Sequence, residues 1–202
     1  MPPAVHVRTG PVPLDELEPF PGNARRGDVD LILSSLQRNG QYRGLVVRHV
    51  LPDGPHVVLA GNHTLQALAR HGRGPCDYRA THQGEERPCG ICNGETWEPS
   101  ARCEVIVCDD DTARRINLVD NRANDAGEYD RDALSELLSY LDEDGYEGTG
   151  YTEAEVRQLA HAVPPLDAEE EFPAYDEDIP TEYTCPKCQY TWSGRPNGGG
   201  TE

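Results

Sequence analysis

Two short cysteine motifs constrain this 202-residue chain more than any other feature. Cys89 and Cys92 form one C-x-x-C pair, Cys185 and Cys188 form another, and a tryptophan follows each pair. Four thiolates around one Zn²⁺ make a closed tetrahedral site, which stabilises segments too small to bury a core of their own. The sequence therefore predicts a zinc ribbon whose ligands are Cys89, Cys92, Cys185 and Cys188.

The ligand set has alternatives. Cys76 and Cys103 flank the first pair and would complete a site with it inside one segment, without the second pair. Two unrelated reduced pairs, or a redox-active C-x-x-C, are further interpretations, although no thioredoxin-like strand–helix–strand pattern surrounds either motif. Because four thiolates leave no open position for water, such a ribbon is expected to be structural or to dock a protein partner.

Composition limits the size of the hydrophobic core. Apolar residues make up 36% of the chain, below the roughly 45–50% of soluble domains, a count that includes glycine. The length suits one modest domain with appendages.

No stretch of the sequence approaches the roughly 20 consecutive apolar residues of a membrane span, and the N-terminus lacks a signal-peptide pattern. We expect a cytoplasmic protein, in the host cytoplasm if a phage encodes it, with no membrane partner.

Charge argues against nucleic acid as the main partner. The formal net charge is -18, which disfavours nonspecific binding to a phosphate backbone and leaves DNA as a secondary possibility. Residues 1–75 nevertheless hold eight arginines and six acidic residues, whereas 109–178 hold twenty-two acidic residues and five arginines. We therefore expect any anion site to use the first half of the chain.

Hydrophobic periodicity predicts a mixture of helices and strands. Strands are expected over 45–50, 57–60 and 103–108. Three helices are expected to begin after Asp28, after the turn 61–64 and after Asp109, and two more are expected over 130–141 and 152–163. No periodicity is visible in the Cys-rich stretch 73–102, which we interpret as an insertion. The predicted organisation is a domain over 1–163 with this insertion, an acidic linker over 164–182, and a zinc-knuckle tail over 183–202 that pairs with the insertion.

A strand, a glycine turn and a helix follow one another at Gly61. A glycine at such a turn lets backbone N–H groups approach an anion, so Gly61, Asn62, His63 and Thr64 are candidate phosphate-binding residues. Two more polar clusters stand at element ends. The first contains Gln41, and the second contains Asp120, Asn121 and Arg122.

The order of these motifs resembles the N-terminal domain of the ParB/sulfiredoxin superfamily. That family has an Asn-Pro-Arg-like loop, a helix ending in Gly-Gln, a Gly-Glu-Arg-Arg box and a helix finishing in Glu-Asn-x-x-Arg. The similar segments here are 23–26, 39–41, 61–67 and 120–122, and the likeness covers about 11–163. Its continuation over 129–155 is similar to ParB-like proteins of phages and mobile elements. The resemblance implies an α+β fold with a small mixed sheet and packed helices, plus the insertion and a zinc-ribbon-like tail.

The resemblance also implies a site. Phosphates would contact the Gly61 turn and nearby arginines, while Asp120 and Asn121 would help to hold Mg²⁺; His63 and Asp120 are the candidate catalytic residues. Asn62 stands where sulfiredoxin needs a cysteine, so sulfinic acid reduction is not expected. The implied phosphate-binding residues are Arg25, Arg26, Gln41, Gly61, Asn62, His63, Thr64 and Arg122.

Four functions follow as hypotheses. The first is a ParB-like protein that binds a nucleotide or another phosphate ligand and acts as a Mg²⁺-dependent NTPase switch. The others are a metal-dependent nuclease acting on DNA, a non-enzymatic zinc-ribbon adaptor for a DNA-modifying or phage partner, and a small-molecule kinase. Binding assays with nucleotides, with and without Mg²⁺, separate the first hypothesis from the adaptor.

Overall fold

The structure is a computed structural model that describes residues 3–50, 54–141, 145–162 and 182–193. The chain divides into two units, Met1–Val163 and Pro164–Glu202. The predicted acidic linker lies outside the described residues except for Glu182. No helix in the described ranges combines the length and apolar character that a membrane span requires.

The first unit is built on a five-stranded mixed sheet. Its strands and those of a separate hairpin are β1 (Val5–Pro13), β2 (Leu17–Pro19), β3 (Leu45–His49), β4 (His56–Ala60), β5 (Arg79–His82), β6 (Glu85–Pro88) and β7 (Ser100–Val107). The order across the sheet is β1-β7-β3-β4-β2. Strand β3 pairs antiparallel with β4 and parallel with β7. The predicted α+β class with a small mixed sheet is confirmed.

The described part of this unit also contains five α-helices: α1 (Val29–Asn39), α2 (Asn62–His71), α3 (Asp110–Ala126), α4 (Arg131–Ser139) and α5 (Glu153–Ala162). Asp28 caps α1 by accepting hydrogen bonds from the backbone N–H groups of Asp30 and Leu31, as the sequence predicts. Helix α3 runs beyond its predicted end near 120–122, because no helix-breaking residue occurs before Gly127.

The core lies between the sheet and helices α1 and α2. Its fully buried side chains include Val12, Val47, Val58 and Leu68. The sequence does not predict strand β1, which supplies Val12, because Gly10, Pro11 and Pro13 interrupt the strand pattern. These residues are tolerated there because β1 is an edge strand of the sheet.

The insertion contains a β-hairpin that its sequence does not predict. Strands β5 and β6 form a hairpin in which Gln83 and Gly84 both have positive φ, 52° and 79°. Two such residues are typical of a tight hairpin turn that matches strand twist. Further along, Ile91 and Trp97 pack against the core. The insertion is therefore attached to the domain through apolar contacts at its C-terminal half.

The second unit contains a small hairpin. Strands β8 (Glu182–Thr184) and β9 (Thr191–Ser193) pair antiparallel, and Cys185 and Cys188 lie in the connection between them. Hydrogen bonds from the backbone N–H groups of Cys188 and Lys187 lower the pKa of the Cys185 thiol. Tyr183 stacks on Trp192 with ring centroids 5.6 Å apart.

Candidate functional site

The candidate anion site begins at the first turn of α2. Gly61 follows β4 directly and is the N-cap of α2, with a φ of 93°, a conformation that favours glycine. A Cβ there would lie 3.0 Å from Cγ of Leu45. Among the described residues no side chain caps this helix, and the first-turn N–H groups have no intrahelical acceptors. The N–H groups of Asn62, His63 and Thr64 are therefore free to bind an anion.

This turn borders a cavity of about 190 Å³. Loop residues before α1, the start of β3 and one face of α3 complete its walls. The polar side chains that line it, besides those of the turn, belong to Asn23, Arg25, Arg43, Asn117, Asp120, Asn121 and Asn124. The four α3 residues of this set recur at helical spacing, so α3 presents a polar stripe to the cavity. Asp120 and Asn121 are among the residues that the sequence predicts for the site, whereas Asn117 and Asn124 are added by the structure.

Two arginines that line the cavity form hydrogen bonds to α3. The guanidinium of Arg43 donates to Oδ1 of Asp120 at 2.8 Å. Arg25 donates to Oδ1 of Asp125 at 2.9 Å and to the backbone carbonyl of Asn121 at 3.0 Å. Both arginine side chains remain partly exposed. An anion in the cavity would therefore meet two cations that are already held in place by carboxylates.

His63 is engaged by the loop that precedes α1. Its Nε2 atom accepts a hydrogen bond of 2.8 Å from the backbone N–H of Gly27. The ring therefore presents an unprotonated Nε2 atom to Gly27. This contact gives His63 a positioning role between the loop and α2, and it occupies the nitrogen that a general base at Nε2 would use.

Two buried amide side chains hold the walls of the cavity. Asn62 donates to the carbonyl of Val58 at 3.0 Å and accepts from the backbone N–H of Phe20 at 2.9 Å. Asn117 donates to the carbonyl of Leu59 at 2.9 Å. Because buried polar groups are stable only when hydrogen-bonded, these amides tie α2 and α3 to β4. Asn62 thus contributes its backbone N–H to the site, while its side chain serves the framework.

A larger cavity of about 730 Å³ adjoins the first and shares Arg25, Asn117 and Asn121 with it. Its walls include apolar side chains of Phe20, Val57, Ala113 and Leu118.

One buried polar atom stands out at the smaller cavity. Oδ1 of Asn23 has no hydrogen-bond partner among the described residues, so it is available to accept a hydrogen bond from a ligand.

The remaining predicted residues occupy varied positions. Arg122 lines the larger cavity. Arg26 is exposed and lines neither of these two cavities. Gln41 links the segment before β3 to strand β7, because its amide donates to the carbonyls of Arg43 and Arg102 and accepts from the Arg102 N–H. The Mg²⁺ site expected at Asp120 and Asn121 stays a prediction.

A second polar group lies at the other end of α2. This thiol cluster consists of His71, Cys76, Cys89 and Cys92, whose ligand atoms all lie within 4.8 Å of one another. Burial raises the pKa of the Cys89 thiol to about 11. Burial also acts to raise the pKa of Cys92, but hydrogen bonds from the backbone N–H groups of Cys76 and Gly94 and from neighbouring thiols lower it to about 6.

The other cysteines lie elsewhere. Cys103 is fully buried in the core, where burial raises the pKa of its thiol to about 11. It is not among the residues of the thiol cluster. Cys185 and Cys188 belong to the second unit. The thiol cluster therefore contains Cys89 and Cys92 from the predicted ligand set, together with Cys76 from the alternative set and a histidine that the sequence did not point to.

No protein-family model and no curated protein sequence matches the chain. Among solved structures, the C-terminally truncated chromosome-partitioning protein ParB from Caulobacter crescentus complexed with CTP-γ-S is similar, with a TM-score of 0.54 and 16% identity over 79% of this chain and 81% of that chain. The ParB structure from the same organism complexed to the centromeric parS site gives a TM-score of 0.38 and 17% identity, over 75% of this chain and 64% of that chain. The first similarity shows a ParB-like fold.

Proposed function

We propose that the chain binds a nucleotide through its phosphates at the first turn of α2. The observation that carries the proposal is the uncapped first turn, whose free N–H groups border the same cavity as Arg25 and Arg43. A helix N-terminus with free N–H groups attracts anions, and guanidinium groups add charge-assisted hydrogen bonds to phosphate oxygens.

The two adjoining cavities suit the two parts of a nucleotide. The smaller one, about 190 Å³, is below the roughly 300–1,000 Å³ of small-molecule sites, but it is polar and lies at the helix terminus. The larger one offers Phe20 and Leu118 to an apolar surface such as a base. Because the cavities share Arg25, Asn117 and Asn121, the phosphates and the base would lie on opposite sides of these residues.

The acidic residues on α3 give Mg²⁺ a role in the proposal. A phosphate group near Arg43 must compete with the Asp120 carboxylate, which lies 2.8 Å from that guanidinium. A hard cation with oxygen ligands would reduce this repulsion. Asp120 and Asn121, both at the cavity, are the residues that we propose to hold it. The proposal concerns nucleotide binding and not turnover. The Nε2 atom of His63, which a general base at this position would use, already accepts a hydrogen bond.

CTP is the first nucleotide to test, since a ParB of similar fold was solved with CTP-γ-S. Isothermal titration calorimetry with CTP, ATP, GTP and UTP, each with and without Mg²⁺, measures affinity and preference. We expect one nucleotide to bind and Arg43→Ala to weaken it about 10- to 100-fold, the value of one or two charge-assisted hydrogen bonds. A phosphate-release assay on the same samples reports any turnover.

A matched control comes from α5. Arg157 forms an exposed ion pair with Glu153 at 2.7 Å, so Arg157→Ala removes the same charge and should leave nucleotide affinity unchanged. Absence of binding by all four nucleotides at millimolar concentration contradicts the proposal and leaves the adaptor hypothesis. Equal loss of affinity in Arg43→Ala and Arg157→Ala contradicts the assigned site, because it indicates an effect of net charge alone.

A further inference from the structure

The thiol cluster has the spacing of a tetrahedral metal site. With Zn–S bonds of about 2.3 Å and Zn–N bonds of about 2.0–2.1 Å, a regular tetrahedron separates two sulfur atoms by about 3.8 Å and sulfur from nitrogen by about 3.6 Å. The Sγ atoms of Cys76 and Cys92 lie 3.7 Å apart. Sγ of Cys89 lies 3.4 Å from Nε2 of His71. Two edges of the cluster thus match a zinc tetrahedron.

The imidazole of His71 is oriented as a ligand. Its Nδ1–H group donates to the backbone carbonyl of Gly72 at 2.9 Å. Because a carbonyl can only accept, this bond fixes the proton on Nδ1 and leaves a lone pair on Nε2, the atom that faces Cys89. Metal-bound histidines commonly have their second nitrogen held in this way. Trp97 packs edge-on against the ring, with centroids 5.7 Å apart.

The backbone around the cysteines is also arranged for close approach. The N–H of Ile91 donates to Sγ of Cys89 at 3.4 Å. Gly74 has a φ of 63°, and a Cβ at that position would lie 3.0 Å from Cβ of Cys92. Gly90 donates to the carbonyl of Gln37 in α1 at 2.6 Å. The loop with Cys89 and Cys92 is therefore held against the end of α1, while Gly74 lets the segment before Cys76 approach it.

We propose that the thiol cluster holds one Zn²⁺ as a closed structural site. Its ligands would be His71, Cys76, Cys89 and Cys92. Three thiolates and one imidazole in a tetrahedral arrangement suit zinc, and four protein ligands leave no position for a catalytic water. The ion clamps the insertion to the C-terminal end of α2. Because His71 and Cys76 complete the tetrahedron, the site does not require Cys185 and Cys188.

The experiment counts zinc in the full-length protein by elemental analysis and native mass spectrometry, after expression with zinc and purification under reducing conditions. Three variants are compared with the wild type: Cys185→Ser with Cys188→Ser, His71→Ala with Cys76→Ser, and His71→Cys. The first two each remove two predicted ligands from one of the competing sets. Competition with a chelator measures relative affinity, and circular dichroism reports whether each variant is folded.

We expect one zinc in the wild type and in the Cys185→Ser, Cys188→Ser variant. The His71→Ala, Cys76→Ser variant should lose more than about tenfold in zinc affinity, because even the loss of an outer-shell partner costs about 10- to 100-fold and this variant loses two direct ligands. The His71→Cys variant tests whether misfolding causes the loss of zinc, because it replaces the imidazole by a fourth thiolate instead of removing a ligand. It should retain zinc and, loaded with Co²⁺, show about one third more thiolate-to-metal charge-transfer absorption, because three thiolates become four.

Three results would overturn the proposal. The first is loss of zinc on replacing Cys185 and Cys188, which would restore the shared ribbon. The second is a wild-type protein without zinc, with or without a disulfide between Cys76 and Cys92. The third is unchanged Co²⁺ charge-transfer absorption in His71→Cys, which would show that residue 71 does not coordinate the metal.

Discussion

The backbone N–H of Gly27 donates to Nε2 of His63 over 2.8 Å, and the two residues are in close contact as well as hydrogen-bonded. A Cβ on Gly27 would lie 2.8 Å from Cγ and Nδ1 of the imidazole. Glycine is needed at position 27 because the ring stacks so closely on the backbone. This contact joins the arginine-bearing loop, with Arg25 and Arg26, to the first turn of α2.

Replacing His63 by leucine should therefore destabilise the protein by about 1–3 kcal/mol, because the Gly27 N–H loses its acceptor. His63→Gln should cost less, since the amide oxygen can reach a similar position. Urea unfolding followed by circular dichroism measures both. Gly27→Ala should destabilise the wild type more than it destabilises the His63→Ala variant, where no ring opposes the new methyl group. Equal effects in the two backgrounds would contradict the coupling.

Asp120 should act as an internal competitor for phosphate. Its carboxylate holds Arg43 at 2.8 Å, so Asp120→Asn should tighten nucleotide binding without Mg²⁺ by about 3- to 10-fold and remove most of the Mg²⁺ dependence, a change of about 1 kcal/mol for one screened charge. Calorimetry in EDTA and in Mg²⁺ measures both quantities. Asp111→Asn is the matched control, because Asp111 pairs with Arg115 at 2.7 Å on the same helix and lines neither of the two cavities of the proposed site.

Stability should fall in mild acid because of His56. This histidine lies opposite His49 on paired strands, with ring centroids 4.8 Å apart. Burial lowers the pKa of His56, and the charges of His49 and Arg8 lower it further, while Glu16 opposes them. The unfolded chain therefore binds a proton more readily than the folded one, so the stabilisation is present above about pH 6.5 and is lost as pH falls through the folded-state value.

His56→Gln should make stability less dependent on pH between about 7.5 and 5, the window in which an unperturbed histidine titrates. Thermal melts at several pH values compare this variant with the wild type. The control is His82→Gln, at an exposed position of the β5–β6 hairpin, which should keep the wild-type pH dependence. A His56→Gln profile that overlays the wild type would show that another group accounts for the acid sensitivity.

Local patterns predicted the elements that carry strong periodicity or capping residues. The strand–Gly61–α2 unit and the Asp28 cap follow from single residues whose chemistry is specific. Strand β1 did not follow, because its prolines are compatible with a strand only at a sheet edge, and edge positions are set by tertiary pairing. Likewise His71 carries no ligand signal, since it joins Cys89 only when α2 packs beside the insertion. Long-range proximity of this kind is not encoded in residue spacing.

Helix α2 connects the two proposed sites, with the anion site at Asn62 and the metal site at His71. The first turn is held by contacts that do not involve the insertion: His63 to Gly27, and Asn62 to Val58 and Phe20. We therefore expect the two sites to be energetically independent. In a folded Cys76→Ser variant with reduced zinc content, nucleotide affinity should stay within about threefold of the wild type, or about 0.7 kcal/mol. Hydrogen exchange over 73–99 should rise in the same variant while exchange over 61–65 stays unchanged. A loss of affinity greater than about tenfold, with rising exchange at the first turn, would show instead that the metal positions α2 as a rigid body and controls nucleotide binding from its far end.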